Sequence, residues 1–252
     1  MNRTDVRNSE SVSKLLDEIL KDADKLIGAF PKDLNRFDVL SISMFLTMID
    51  ITTDINHLVK MNRFLSIPSL VRNFMDAYVD LLLITSDSKN VYPLLYKVYS
   101  EDQKVLKAKI KPVHSSLFIK DDKELETINK QIIEKQSELN ELKKLVGSNE
   151  LKTIKEKYER VNLLWFYETI YSDLCSQTHN GLKSIESRHI SPKTDDKILI
   201  KYLQAYDTQD YYVYILTLLN YFHESILVIN KALNLNNDSL IGEIQNKIKA
   251  FI

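Results

Sequence analysis

Four glycines and five prolines in 252 residues leave this chain short of the tight turns that a β-sandwich or barrel demands. No glycine-rich phosphate loop of either common spacing can be written in it, which excludes nucleotide binding of that kind. Apolar residues recur instead at three- and four-residue steps over most of the length, the period of an amphipathic helix. The fold class predicted is all-α: a helical bundle with an inserted antiparallel coiled-coil hairpin. One domain is expected over residues 1–252, with 121–160 as a projecting arm.

Ser9 is the expected cap of a first helix that carries Val12, Leu15, Leu16, Ile19, Ala23 and Leu26 and ends at Pro31. A second helix is predicted over about 35–61. The third opens at Ser66, with Pro68 in its first turn, where a missing N–H costs little. It is apolar nearly all round and is therefore expected at the centre of the bundle, with Arg72, Asp76 and Asp80 on one stripe at four-residue steps. A fourth helix is predicted over about 92–110.

Beyond it, Leu125, Ile128, Ile132, Leu139, Leu142 and Val146 alternate three- and four-residue steps, interrupted by Lys135, with charges of both signs between them. This is a coiled-coil seam. Gly147, Ser148 and Asn149 supply a stop and a new cap, after which Leu151, Ile154, Tyr158, Val161 and Trp165 resume the spacing. Two arms of similar length, each roughly 30 Å long at about 1.5 Å per residue, are expected to fold back on one another and to recruit a protein partner or a second copy.

The segment 211–229 approaches the length of a membrane span, but Asn220, His223 and Glu224 occupy its second half, so a buried core helix and no membrane partner are expected. A short amphipathic helix, 239–251, closes the chain. The formal charge of −1 gives no domain-wide basic field to hold nucleic acid, and any such contact must be local. Cys175 is the sole cysteine and residues 1–10 lack the apolar run of a secretory signal, which together point to the cytoplasm.

Chemistry concentrates in 171–189, where two histidines, an arginine, the cysteine and several hydroxyls crowd the end of one helical run. On an ideal helix Glu168, Ser172, Cys175 and His179 fall within roughly a quarter-turn, beside the apolar stripe of Leu163, Tyr167, Ile170, Tyr171 and Leu174. Read functionally, His179 is a general acid or base, and Ser172, Ser176 or Asn180 positions a substrate oxygen. Read structurally, His179, Asn180 and Gly181 end a helix with local hydrogen bonds. Arg188 and His189 would grip an anion jointly if a loop turned both side chains one way. Arg72, inside a central helix, needs a partner for its donors, and Asp76 is suited to it, either as an internal ion pair or as the orienter of a phosphate-binding arginine. No two histidines show helical ligand spacing around a glutamate, so no metal and no cofactor is expected.

Two segments carry a resemblance: Ser69 through Arg72 and Asp76 to Asp80, and Tyr171 through Ser176, His179 and Gly181 to Arg188 and His189. Their Arg-with-following-acid and Ser-x-x-His patterns resemble the bacterial all-helical domain-of-unknown-function family 5677. The chain is more distantly similar to the HEPN bundles, which dimerise and cut RNA with an arginine and a histidine in bacterial conflict systems. It departs from them in having no Arg followed four to six residues later by His. That resemblance implies a defence or toxin effector with metal-independent ribonuclease activity on RNA or a nucleotide, in which Arg72 and His179 meet across helices. The alternative is a non-enzymatic scaffold acting through the hairpin.

Overall fold

The structure, a computed structural model, describes residues 8–111, 113, 118–151, 153–178 and 211–252, and among these every regular element is helical. In chain order they are α1 Ser9–Ile27, α2 Arg36–Lys60, α3 Ile67–Ser86, a 3₁₀ turn Ser88–Asn90, α4 Val91–Lys109, α5 Asp122–Val146 and α6 Ile154–Arg160. A continuous helical run, α7 (164–178), comes next in three parts: α-helix Leu164–Phe166, a π-turn Tyr167–Tyr171 and α-helix Ser172–Thr178. Then come α8 Tyr212–Ala232 and α9 Asp238–Phe251. The all-α class is as the sequence predicts.

A glycine-poor chain still has to stop its helices, and at three of the described ones it does so with asparagine. Asn62, Asn162 and Asn234 adopt positive φ of 54°, 59° and 53° just past α2, α6 and α8. At each, the next residue's N–H reaches back to a carbonyl in the last turn: Arg63 to Leu58 at 2.8 Å, Leu163 to Tyr158 at 2.8 Å, Leu235 to Asn230 at 3.0 Å. These are Schellman closures, in which asparagine is the residue best able to replace glycine in the left-handed region. Starts are capped as firmly. Asn35 and Asp38 form a reciprocal capping box on α2, and Asp121 accepts from the Glu124 N–H on α5. On α1 the cap is Asn8, accepting from Ser11, one residue before the expected Ser9.

The chain divides into two compact units, Met1–Thr85 with Tyr158–Ile252, and Ser86–Lys157. The first is a helical bundle. α3 runs through it as expected, with only Asn73 exposed between Ile67 and Thr85. Phe222 of α8 contacts Phe45 of α2 and Phe74 of α3, at centroid separations of 6.4 and 6.3 Å, and all three rings are fully buried. Each such ring contributes roughly 1.5–3 kcal/mol of hydrophobic stabilisation. α8 is the one described helix long and apolar enough to cross a membrane, and here its Ile215, Leu218, Phe222, Ile226 and Ile229 are buried against the bundle. The carboxylate of Asp22, almost fully buried on α1, takes ion pairs from Lys25 at 2.7 Å and from Lys247 of α9 at 2.5 Å.

In the second unit α5 packs against α4 through the anticipated seam: Ile128, Leu139 and Val146 are buried and Leu125, Ile132, Lys135 and Leu142 half-buried. Lys135, which breaks the apolar pattern, lays its ammonium 3.8 Å from the centre of the Tyr99 ring and pairs with Glu138 at 3.1 Å. Beside it the buried Gln103 donates to Gln136 at 2.8 Å. The expected hairpin is not confirmed. The segment after Gly147 forms only the seven-residue α6 before Asn162 breaks it, so the long arm finds its partner in α4.

Candidate functional site

Two of the candidate residues, Arg72 and Asp76, lie where α3, α6 and α7 meet in the bundle. Arg72 and Asp76 stand one turn apart on α3, both half-buried. The sequence suggests that they pair; the structure inserts a tyrosine. Arg72 Nε–H donates to the Tyr171 hydroxyl at 3.2 Å, that hydroxyl donates to Asp76 Oδ2 at 3.3 Å, and Tyr158 donates to the other oxygen, Oδ1, at 3.3 Å. The guanidinium carbon also lies 5.5 Å from the Tyr171 ring centre, within cation–π range.

Both phenols are encased. Tyr158 is fully buried, with rings of Phe166, Tyr167 and Tyr171 around it at 6.2, 5.5 and 4.9 Å. Burial pushes its phenol far above the ordinary value, and the Asp76 carboxylate adds to the effect. Tyr171 moves the same way through burial, with Arg72 pulling against it. Neither ionises near neutral pH, so both remain O–H donors to Asp76. The hydrogen bond that Arg72 donates to Tyr171 is the main influence raising the Arg72 value, which keeps the guanidinium charged.

The π-turn governs which side chains of α7 arrive here. Tyr171 and Leu174 are buried, Cys175 and Ser176 half-buried, Ser172 and Glu168 exposed. An uninterrupted helix would have aligned Glu168, Ser172 and Cys175 as one face; the extra residue in the turn rotates the residues before it by about 100° relative to those after it. Burial raises the Cys175 thiol despite the nearby Arg72, so it stays protonated and behaves as a small apolar group. At the end of the run Ser69 donates to Thr178 Oγ1 at 3.2 Å, which ties the last described turn of α7 to α3 one turn before Arg72. His179, Asn180, Arg188 and His189 lie outside the described residues. Among the described residues no three histidine, cysteine or carboxylate side chains converge as metal ligands would.

Tyr158 and Tyr171 are the site residues that the apolar pattern of the sequence assigns only to the core. The available signal was chemical, since a buried tyrosine needs a partner for its hydroxyl where phenylalanine needs none. A family model described as a family of unknown function, DUF5677, matches residues 38–198. The chain belongs to DUF5677. The matched span holds every candidate residue, Arg72, Asp76, Tyr158, Tyr171 and His179 among them, so in this DUF5677 chain the site is part of the family domain. No curated protein and no solved structure matches the chain.

Proposed function

We propose that this protein is a cytoplasmic effector of a bacterial defence or toxin type that cleaves RNA without a metal ion. The observation that carries the reading is the Ser69–Thr178 hydrogen bond. It ties Thr178, the residue before His179 in the sequence, to the α3 face that bears Arg72. In the reaction, His179 takes the proton of a 2′-hydroxyl as the 2′ oxygen bonds to phosphorus. The P–O5′ bond breaks, and the histidine returns the proton to the departing 5′ oxygen. Arg72 stabilises the charge that grows on the non-bridging oxygens. Ser176 and Asn180 position the substrate, and Ser172, Arg188 and His189 are proposed as further substrate-binding residues.

The test is cleavage of a labelled RNA oligonucleotide in EDTA. Arg72→Ala and His179→Ala should each lose at least about 100-fold, the usual worth of a positioned acid–base group or charge stabiliser. A 2′-deoxy nucleotide at the scissile position should block cutting. Full cleavage by either variant sinks the reading.

A second reading makes the unit Ser86–Lys157 a docking module for a protein partner or a second copy. It is favoured by Val98 and Val105, two turns apart on one face of α4 and each 55 % exposed, and by Ile133 of α5 at 71 %. Val98→Glu with Ile133→Glu should lower the mass seen in sedimentation; an unchanged mass counts against a self-associating module.

A further inference from the structure

We infer that Tyr171 is the positioning residue of the Arg72 site, fixing the guanidinium through Nε while Asp76 and Tyr158 fix Tyr171 itself. The inference rests on the reading of Arg72 as the phosphate-handling group.

Three geometric facts support it. First, Tyr171 bonds the inner nitrogen of Arg72, not the outer fork, and its ring also lies against the guanidinium carbon at 5.5 Å. A bond at Nε together with contact along the ring restrains both the tilt of the guanidinium plane and its rotation, which a single charge partner does not do. Second, the Tyr171 oxygen is itself pinned. It accepts from Arg72 and donates to Asp76, and the other Asp76 oxygen is held by Tyr158. The order Tyr158, Asp76, Tyr171, Arg72 thus has its most enclosed member, Tyr158, at the far end from the arginine. Third, the links come from separate stretches of chain: Arg72 and Asp76 from α3, Tyr158 from α6 and Tyr171 from the π-turn of α7. A three-element arrangement holds its orientation as long as the bundle holds its packing.

A carboxylate placed directly on the guanidinium would have neutralised much of the field that an anion is to meet. With a neutral phenol between them, Asp76 contributes orientation more than charge.

The variants are Tyr171→Phe, which removes one oxygen and keeps the ring, Tyr158→Phe, and the double variant, each in the full chain. The direct readout is the Arg72 Nε–H signal in a nitrogen–proton spectrum, assigned by its loss in Arg72→Lys. In Tyr171→Phe that signal should move and exchange faster with water; in Tyr158→Phe it should move less. An Arg72 signal with the same position and exchange rate in Tyr171→Phe overturns the inference, whether or not RNA is cut.

The second readout is kinetic. Tyr171→Phe should lower kcat about tenfold, equivalent to about 1.4 kcal/mol, with KM changed less than about twofold. The double variant should be no slower than Tyr171→Phe, because both act through one guanidinium. Losses that multiply, or a loss confined to KM, overturn it. Cleavage that survives Arg72→Ala sinks the ribonuclease reading alone, and the Nε–H signal then still decides whether Tyr171 orients Arg72.

Discussion

Asp22 offers the sharpest test of what closes the bundle. Its side chain is 2 % exposed, and Lys25 and Lys247, its ion-pair partners, are 56 % and 33 % exposed. Lys25 lies on the same helix and largely in water, so its pair adds little. Lys247 arrives from α9, 225 residues away, and is the more enclosed partner. Replacing it by methionine keeps the stem and deletes the charge, leaving a buried carboxylate with only the wet lysine. Removing one partner of a fully buried pair costs about 3–5 kcal/mol; with Lys25 still in place, Lys247→Met should cost roughly 2 kcal/mol. For a unit of this size that is a fall in Tm of about 4–8 °C. Lys25→Met should move Tm far less.

The pH dependence separates this cause from a packing defect. Burial pulls the Asp22 carboxyl upward, but the hydrogen bonds from Lys247 and Lys25 outweigh it and hold the folded value below the ordinary 3.8. A depressed carboxylate stabilises the fold fully above the unfolded value of about 3.9 and loses that contribution as the pH falls through the folded value. The gap between wild type and Lys247→Met, read from urea unfolding, should therefore be constant at neutral pH and narrow below about pH 4. A gap as wide at about pH 3 as at pH 7, or a Lys25→Met effect equal to that of Lys247→Met, refutes the argument.

Two further outcomes are expected of the same bundle. Asn62→Ala should lose about 1 kcal/mol in urea unfolding, because alanine is strained at φ 54°, whereas Asn62→Gly should stay within about 0.5 kcal/mol; equal effects would mean that the closure of α2 does not depend on left-handed backbone. His223 is buried on α8, its Nε2 has no hydrogen-bond partner among the described residues, and burial holds the imidazole below its ordinary 6.5 although Glu224 opposes this. The unfolded chain then takes up the proton first, so stability should fall as the pH drops through about 6.5, and His223→Gln should flatten that slope; an unchanged slope refutes it.

Much of the fold was legible because helices announce themselves by period. The buried faces of α1, α3 and α5 are those that the apolar spacing marks, down to the interruption at Lys135, whose aromatic partner could not be read because it lies on another helix. Asp22 escaped notice for the same reason. On its own helix it is one charged residue among many, and only α9 makes it interior. The hairpin is not confirmed, and similar spacing on both sides of Gly147 says nothing about which helix each face will meet. The stop at Asn162 is a left-handed asparagine, a weaker mark in sequence than glycine or proline.

The candidate site shows how one local irregularity decides which residues can act together. Drawn as an ideal helix, 163–179 presents Glu168, Ser172 and Cys175 as a polar face and relegates Tyr167 and Tyr171 to the core. A π-turn adds a residue to the circuit, at some expense in hydrogen-bond geometry. In exchange, Tyr167 and Tyr171 stack on one another at 5.2 Å and both lie against Tyr158, while Phe166 and Leu174 on either side of the turn remain fully buried. Without the extra residue, the apolar anchoring of one end of α7 would turn the other away from α3, and the Tyr171 hydroxyl would not meet Arg72 and Asp76. The irregular turn therefore lets one helix satisfy two demands, core packing along its length and delivery of a phenol to a charged pair.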